Sequence, residues 1–250
     1  MISSFSTIKS AVAAALAMSL LSISTVSAMS VEPLLVDIAS AGKGAQQSFK
    51  VNNNSAAPLP VEIAVSRIEF GPNGEQSSER AGKEFLIYPP QAIISPGASQ
   101  VFRVQWVGEP DLAKSRSYRF DVSQVPVKLS KEQSGIQIVM TFGVTVNVAP
   151  PQGKSDIQVM GAAPVVGKDG KRLAALTVKN PGSKHAYLRQ SVIDLSGGGW
   201  SAQMTSAAVG QQVGLGIVQP GKERRFILPI EVPAGVSAIK ATVKYDPSIR

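Results

Sequence analysis

Few residues in this chain carry the chemistry that catalysis needs. The 250 residues include one histidine, His185, and no cysteine, which excludes thiolate metal ligands and cysteine nucleophiles. A histidine metal site or a Ser-His-Asp arrangement would depend wholly on His185, which lies near a turn and which we interpret as a surface or packing residue. No close carboxylate pair stands out, although carboxylates distant in sequence could still meet, and Gly197-Gly-Gly199 lacks the lysine and helix of a phosphate motif. We therefore predict a protein that is not an enzyme and needs no cofactor or metal.

Two arginines are better placed to bind a ligand. Arg103 lies in the run Val101-Phe-Arg-Val-Gln-Trp106 and Arg119 in the run Tyr118-Arg-Phe-Asp-Val122, and both runs are strongly apolar. A guanidinium that is buried or half-buried in such a strand requires an anionic partner. That partner is either an internal Asp or Glu, which makes a structural ion pair, or the carboxylate of a ligand.

Extended segments must position these side chains. In one such segment apolar residues alternate with other residues without a break. Every second residue in it is apolar: Ile136, Ile138, Met140, Phe142, Val144, Val146 and Val148. Since successive side chains of a strand point to opposite faces, these seven form one hydrophobic stripe. At about 3.3 Å per residue the segment spans about 40 Å, roughly twice a common strand. It is either an ordinary sandwich strand or a strand that protrudes past the core and offers apolar side chains to a partner.

The N-terminus has the features of a secretory signal. Lys9 precedes an apolar stretch from Ala11 to Ile23, and Val26-Ser27-Ala28 follows, which predicts cleavage after Ala28 and an exported, soluble mature protein. The formal net charge is +8, but the basic residues are scattered and are not interleaved with aromatic residues, which argues against a nucleic-acid partner. Because there are no cysteines, packing and sheet pairing must stabilise the exported protein.

Short β-rich segments separated by Gly, Pro, Asn and Ser recur through the rest of the chain and predict an all-β protein. In the first half we expect strands at Leu34–Ile38, Gln47–Asn52, Pro60–Phe70, Phe85–Tyr88, Ala92–Ile94, Ser99–Val107, Ser117–Val127 and Ile136–Val148. In the second half we expect strands at Ile157–Gly161, Arg172–Asn180, Ala186–Asp194, Gln211–Val218, Glu223–Pro229 and Ile239–Tyr245. The cluster Ala149–Gly153 cannot continue a ladder, so we expect two immunoglobulin-like sandwich domains, at 29–150 and 151–250.

Several motifs occur in an order that is typical of one protein family. They are Phe102-Arg-Val104, Tyr118-Arg-Phe120 leading to Gln124-Val-Pro126, the polar loop Lys128–Gly135, the alternating strand that ends at Pro150, Tyr88-Pro-Pro90, Ser95-Pro-Gly97, Asn180-Pro-Gly182, Tyr187-Leu188, Gln219-Pro-Gly221 with Arg224 and Arg225, and Ala241-Thr-Val-Lys-Tyr-Asp246. With the signal and the two sandwiches, the mature chain resembles a pilus periplasmic chaperone of the chaperone-usher pathway. The resemblance implies two immunoglobulin-like domains in an L or boomerang arrangement and a periplasmic location.

The resemblance also implies a mode of action. Pilin subunits of this pathway lack the final strand of their sandwich, and the chaperone lends a strand of its own, whose alternating apolar side chains fill the open groove. Carried onto this chain, the lent residues are Ile136, Ile138, Met140 and Phe142, and the remaining valines belong to the chaperone's own sandwich. The implied partners are pilin subunits and an outer-membrane usher that receives them, and no nucleotide is needed. Whether the unbound chaperone self-associates through the long strand stays open.

One feature departs from the family pattern. Well-studied members hold the subunit's C-terminal carboxylate with an arginine in the first strand and a lysine in the last strand of the first domain. Here the first strand, Val31–Ile38, has no basic residue, and Thr145 occupies the lysine position. This absence, the missing cysteines and the polar loop favour a divergent, archaic-like branch in which another basic residue anchors the carboxylate. Arg119 is the first candidate and Arg103 the second, although Arg103 also resembles a family residue that stabilises the interdomain cleft.

Two other classes of protein fit parts of the sequence. A structural or adhesive immunoglobulin-like surface protein would share the fold, but it predicts surface anchoring, and no obvious sorting tail follows Asp246. An exported hydrolase on a β scaffold would need a catalytic cluster that includes His185.

Overall fold

Two sets of β-strands, one in each half of the chain, make up the fold. The structure is a computed structural model that describes residues 29–126, 139–167 and 169–249. The described strands of the first half are β1 (Met29–Glu32), β2 (Leu35–Ala39), β3 (Gln46–Asn53), β4 (Leu59–Phe70), β5 (Gln76–Arg80), β6 (Phe85–Tyr88), β7 (Gln91–Ile94), β8 (Ser99–Trp106), β9 (Arg116–Gln124) and β10 (Thr141–Ala149). Those of the second half, with one helix, are β11 (Gln158–Val166), β12 (Arg172–Lys179), β13 (Ala186–Tyr187), β14 (Ser191–Gly197), β15 (Trp200–Met204), α1 (Ser206–Gln212), β16 (Ile217–Val218), β17 (Glu223–Glu231) and β18 (Lys240–Tyr245).

The first half is a sandwich of two sheets. The first sheet has the strand order β1-β3-β8-β6, and the second has the order β2-β10-β9-β4-β5, with β7 also paired to β4. The chain changes from the first sheet to the second between β1 and β2, so that β2 runs parallel to β10 while β9 runs antiparallel to it. This topology places β10 inside the second sheet.

Alternating aromatic and aliphatic residues fill the space between these two sheets. The ring of Phe85 packs edge-on against Tyr118 and Phe120, with centroids 4.8 and 4.9 Å away, and Phe49 stacks on Phe102 at 5.6 Å. All five rings are buried. Such contacts add to the free energy gained from burial and hold both sheets in one arrangement.

The second half has its own core. Its main sheets have the orders β11-β12-β17 and β15-β14-β18, and β13 pairs with β16. Buried residues of this core run from Ile157 to Ile239, whereas those of the first core run from Met29 to Val148. The expected fold class, all-β with two immunoglobulin-like sandwiches, is confirmed.

Some expected strands of the second half are wrong. We expected a strand over Gln211–Val218, but α1 occupies its start and only β16 remains of it. The helix forms because the Thr205 side chain caps it, accepting a hydrogen bond from the backbone N–H of Ala208 at 3.3 Å. A 3-10 turn over Leu188–Gln190 likewise divides the segment expected as one strand into β13 and β14.

The expected long strand also differs from the described one. It was expected over Ile136–Val148, but β10 begins at Thr141, and residues 127–138 lie outside the described residues. Strands β5 and β15 were not expected, and the first strand expected over Val31–Ile38 is divided between the end of β1 and β2. All residues of β5 are exposed, so no apolar alternation marks this strand in the sequence.

Candidate functional site

The apolar stripe divides where β10 enters the first core. Val144, Val146 and Val148 are fully buried in that core, which confirms that these valines belong to the protein's own sandwich. Met140 and Phe142 are only partly buried against the same core. The stripe therefore becomes more accessible toward its N-terminal end.

The residues before β10 are described only from position 139 onward. Ile136 and Ile138 lie outside the described residues. Val139 is 44% exposed. The Met140 carbonyl oxygen accepts a hydrogen bond from the Gln124 backbone N–H at 3.0 Å, so contact with the β9 segment continues one residue before the strand.

Strand β10 has different neighbours along its two edges. It pairs with β9 over Thr141–Val148, but it pairs with β2 only over Thr145–Ala149. Among the described residues, no strand pairs with positions 141–144 on the side of β2. We call these four positions the open edge. Unpaired N–H and C=O groups of such an edge can pair with the strand of another molecule.

Arg119 lies on β9, beside the open edge. Its strand neighbours Tyr118 and Phe120 point into the core, so the Arg119 side chain lies on the outer face of the second sheet and is 44% exposed. The guanidinium is thus about half-buried, and its anionic partner is internal, as in the ion-pair alternative. Its Nε donates a hydrogen bond to Asp121 Oδ1 at 2.6 Å, which makes an exposed ion pair.

Glycine at position 143 makes room for this guanidinium. A Cβ atom at Gly143 would lie 2.8 Å from Arg119 Nε and 3.1 Å from its Nη2. The guanidinium thus lies across the β10 backbone, directly over the open edge. A carboxylate that arrived at this edge would find a charged planar donor there.

Arg103 occupies a different surface. It lies on β8 in the first sheet, where its neighbours Phe102 and Val104 are buried and its own side chain is exposed. The expected burial of Arg103 is therefore wrong. Because the outer faces of the two sheets lie on opposite sides of the sandwich, the structure does not bring Arg103 and Arg119 together.

A polar cluster joins the two halves of the chain at the C-terminal part of β10. The Tyr187 hydroxyl donates a hydrogen bond to Asp37 Oδ1 at 2.7 Å and accepts one from Asn147 Nδ2 at 2.8 Å. His185 Nε2 lies 3.1 Å from the same Asp37 oxygen. We call Asp37, Asn147, His185 and Tyr187 the seam.

The seam holds Asp37 as a carboxylate. Burial opposes its ionisation, but contacts with His185, Tyr187 and Asn147 outweigh burial and lower the pKa of Asp37 to about 2. Burial, with the adjacent Asp37 charge, raises the pKa of the Tyr187 hydroxyl far above its ordinary value. Tyr187 therefore stays protonated and donates to Asp37.

Of the two interpretations of His185, a surface residue or a packing residue, the structure agrees with the second, because the side chain is buried. His185 is 1% exposed, and its backbone N–H donates to Ser115 Oγ at 2.7 Å. Neither ring nitrogen makes a well-aligned hydrogen bond to the described residues.

The hairpin β4–β5 makes a second contact between the halves. The Gln219 side chain accepts from Phe70 N–H and donates to the Ile68 carbonyl oxygen, both at 3.0 Å. The Arg225 N–H donates to the Pro72 carbonyl oxygen at 2.7 Å. Among the described residues, the halves are therefore joined at more than one place.

Sequence reasoning missed most of these joining residues. Asn147 is fully buried between Val146 and Val148, and a polar residue within this alternating apolar strand is the one signal that could have singled it out. Gln219 and Tyr187 were noticed only as parts of the motifs Gln219-Pro-Gly221 and Tyr187-Leu188, and Asp37 carries no pattern that distinguishes it from a surface residue.

The sequence of the first half decides the family. The family model described as pili and flagellar-assembly chaperone, PapD N-terminal domain, matches residues 29–154, slightly more than half of the 250 residues. The chain belongs to this family of assembly chaperones. The family is a class of chaperones rather than of enzymes, and a structural or adhesive surface protein is not favoured.

Solved structures of fimbrial chaperones have the same fold. The class 5 fimbriae chaperone CfaA is 13% identical, with a TM-score of 0.54, over 87% of this chain and 99% of that one. A chain from the Salmonella enterica complex of SafA pilin with the SafB chaperone is 14% identical, with a TM-score of 0.52, over 87% and 95%. A chain from the CsuC-CsuE chaperone-tip adhesion subunit complex of archaic Csu pili, from Acinetobacter baumannii, is 16% identical, with a TM-score of 0.51, over 82% and 93%. No protein of curated function matches the sequence of the chaperone.

Two further observations concern the described part of the chaperone. None of its helices is both long and apolar enough to span a membrane. Within the same residues, no three side chains of His, Cys, Asp or Glu are grouped so that they could hold a metal ion.

Proposed function

We propose that this chaperone binds pilin subunits in the periplasm by lending them a strand and then delivers them to an outer-membrane usher. The lent residues are Ile136, Ile138, Met140 and Phe142. The N-terminal signal supports export, and the similar chains from chaperone complexes with a pilin and with a tip adhesion subunit support the class of partner.

The open edge is the observation that carries this proposal. Positions 141–144 have β9 on one side and no described strand on the other, so an incoming strand can pair with their backbone groups. Met140, just before the open edge, and Phe142, within it, are only partly buried against the core. Backbone pairing and apolar side chains for a groove are therefore available in one segment.

The apolar side chains supply most of the binding free energy. Burial of a large apolar side chain contributes about 1.5 to 3 kcal/mol, so four of them contribute about 6 to 12 kcal/mol. The net value is smaller, because association and ordering of the lent segment oppose it by several kcal/mol. A subunit that exposes a hydrophobic groove and open edges would otherwise aggregate, and the lent strand covers both.

Arg119 is the residue that we propose as the anchor of the subunit's C-terminal carboxylate. Its guanidinium lies over Gly143 in the open edge and is 44% exposed. Only Nε is used by Asp121, so the terminal nitrogens can donate to a carboxylate. Arg103, on the outer face of the other sheet, is the weaker candidate. Self-association of the unbound chaperone through the open edge stays a prediction.

A pull-down with charged variants tests the proposal. Ile138→Asp and Met140→Asp place a carboxylate in the lent segment, and we expect both to lose the pilin that co-purifies with the wild-type chaperone from periplasm. Val101→Asp is the matched control, because Val101 is an exposed apolar residue on the outer face of β8. Full retention of pilin by both folded variants, as judged by circular dichroism, would falsify the strand-lending mechanism.

A further inference from the structure

The lent part of the stripe contains one atom that peroxides oxidise readily. The side chains of Ile136, Ile138 and Phe142 consist of carbon and hydrogen, whereas Met140 has a thioether sulfur. Oxidation converts such a sulfur into a sulfoxide, which is polar where the thioether is apolar. The chain has no cysteine, so none of its side chains is a thiol that would compete with this sulfur for the oxidant.

Exposure decides which methionines an oxidant reaches. Among the described methionines, Met29 and Met204 are buried in the two cores. Met160, on β11 of the second domain, is 51% exposed, and Met140 is only partly buried against the first core. Met140 and Met160 are therefore the accessible thioethers of the described residues, and of these two Met140 lies in the stripe.

The backbone holds the Met140 side chain in the stripe. Its carbonyl oxygen accepts a hydrogen bond from the Gln124 N–H at 3.0 Å, so pairing with the β9 segment reaches this residue. Because the side chains of a strand alternate, Met140 projects from the same face as Phe142 and Val144. A sulfoxide oxygen on Met140 would therefore enter the apolar groove of the subunit together with the side chain. A polar atom that is buried there without a hydrogen-bond partner opposes binding.

We propose that Met140 is a site of reversible oxidation at which a peroxide weakens subunit binding. The sulfur donates an electron pair to one oxygen of hydrogen peroxide, the O–O bond breaks and an S–O bond forms. The departing hydroxide takes the proton of the transferred oxygen and becomes water, so the sulfur is oxidised and the peroxide is reduced. A reductase that uses thiols reverses the step, with release of water and oxidation of the thiols to a disulfide. The effect on binding rests on the proposed function, whereas oxidation of Met140 in the free chaperone does not.

Peptide mass spectrometry tests the site itself. The mature chaperone without a subunit is treated with hydrogen peroxide, and we expect Met140 and Met160 to gain oxygen before Met29 and Met204 do. The dose is set so that the two buried methionines stay reduced, which keeps both cores intact.

The binding measurement uses the same treated chaperone. The co-purifying pilin is unfolded in urea and diluted into the chaperone, and the complex is quantified by size-exclusion chromatography. A buried polar group without a partner corresponds to a loss of affinity of about 10- to 100-fold, which we expect for the oxidised wild type. Methionine sulfoxide reductases for both sulfoxide epimers, supplied with dithiothreitol, should restore the affinity.

Two variants assign the loss to one sulfur. Met140→Leu has a hydrocarbon side chain of similar volume, and its affinity should be the same before and after peroxide. Met160→Leu lacks the other accessible thioether and should lose affinity on treatment as the wild type does. Each variant is compared with its own untreated form, so the effect of the substitution itself cancels.

The proposal is overturned if Met140 stays reduced while Met160 is oxidised, or if the oxidised wild type binds pilin as the untreated protein does. It is also overturned if Met140→Leu loses affinity after peroxide as the wild type does, and a loss that the reductases do not reverse rejects its reversibility. Failure of strand lending has a different sign, which is retention of pilin by Met140→Asp in the pull-down. If Met140→Asp loses the pilin and the sulfoxide form keeps it, the oxidation proposal fails and strand lending stands.

Discussion

Arg119 can lie over the open edge only because its diagonal neighbour on β10, Gly143, carries no side chain. A Cβ at Gly143 would come within 2.8 Å of its Nε, so most residues at this position would displace the guanidinium. Asp121 holds Nε by a 2.6 Å hydrogen bond and thereby orients the planar group. Position 143 and position 121 thus determine where the positive charge of residue 119 is presented.

Replacement of Arg119 tests this arrangement at the level of one side chain. Hydrogen bonds to a charged group contribute about 1.5 to 3 kcal/mol, so Arg119→Ala should weaken binding of the co-purifying pilin by about 10- to 100-fold. Arg119→Lys should recover part of the loss, because a lysine keeps the charge without the bidentate geometry. Titration calorimetry measures both.

Arg103→Ala serves as the control for that experiment. Arg103 is also an exposed strand arginine, but it lies on the outer face of the first sheet, so its removal should leave the affinity unchanged. If Arg103→Ala loses affinity and Arg119→Ala does not, the anchor lies on the first sheet and our assignment of Arg119 is rejected.

At the scale of elements, β10 joins three functions in nine residues. Its first positions form the open edge, its valines fill the first core, and Asn147 contacts the second domain through Tyr187. The role of the valines in the core could be predicted from the sequence, because alternation of apolar residues along a strand indicates that one of its faces is buried. The open edge could not, since it depends on where β2 begins beside β10.

The errors in the expected elements also have local causes. The strand expected over Gln211–Val218 was inferred from apolar residues, whereas the capping side chain of Thr205 starts a helix before it. Strand β5 is exposed along its whole length, so pairing with β4 alone defines it. Sequence pattern reports burial, and both errors occur where hydrogen bonding rather than burial determines the element.

The link between β10 and β13 predicts a measurable contribution to stability. Tyr187→Phe removes the hydroxyl that bonds to both Asp37 and Asn147, and a buried polar group left without its partner costs about 1 to 3 kcal/mol. The urea midpoint should therefore fall. Tyr88→Phe, at a tyrosine that is 70% exposed, should leave the midpoint unchanged, and equal effects of the two substitutions would contradict the role of the seam.

On the scale of the whole molecule, residues far apart in the sequence hold the two domains together. Tyr187 and Asp37 are 150 positions apart, and Gln219 and Ile68 are 151 positions apart. The apolar pattern of each of these segments can be read without reference to its partner segment. A single sequence therefore indicates two sandwiches but not the residues that join them. The contacts are polar, as is common between domains of one chain.

This polar junction makes the stability of the molecule sensitive to acid in a defined direction. The pKa of Asp37 is lowered from 3.8 to about 2 in the folded protein, so the unfolded chain takes up the proton first as the pH falls. The stabilisation from Asp37 is therefore complete above about pH 4 and is lost as the pH approaches about 2. Because the Asp37 side chain is 41% exposed, solvent screens the interaction, and we expect about 1 kcal/mol.

Asp37→Asn isolates this contribution from the other acidic groups. The wild type should exceed the variant in urea midpoint at about pH 5, and the difference should shrink steadily toward about pH 2, because the variant has no carboxyl group to protonate at this position. Other carboxylates titrate in both proteins and cancel in the comparison. A difference that stays constant with pH would mean that Asp37 acts by its shape and hydrogen bonds alone, and not by the charge that it presents to His185 and Tyr187.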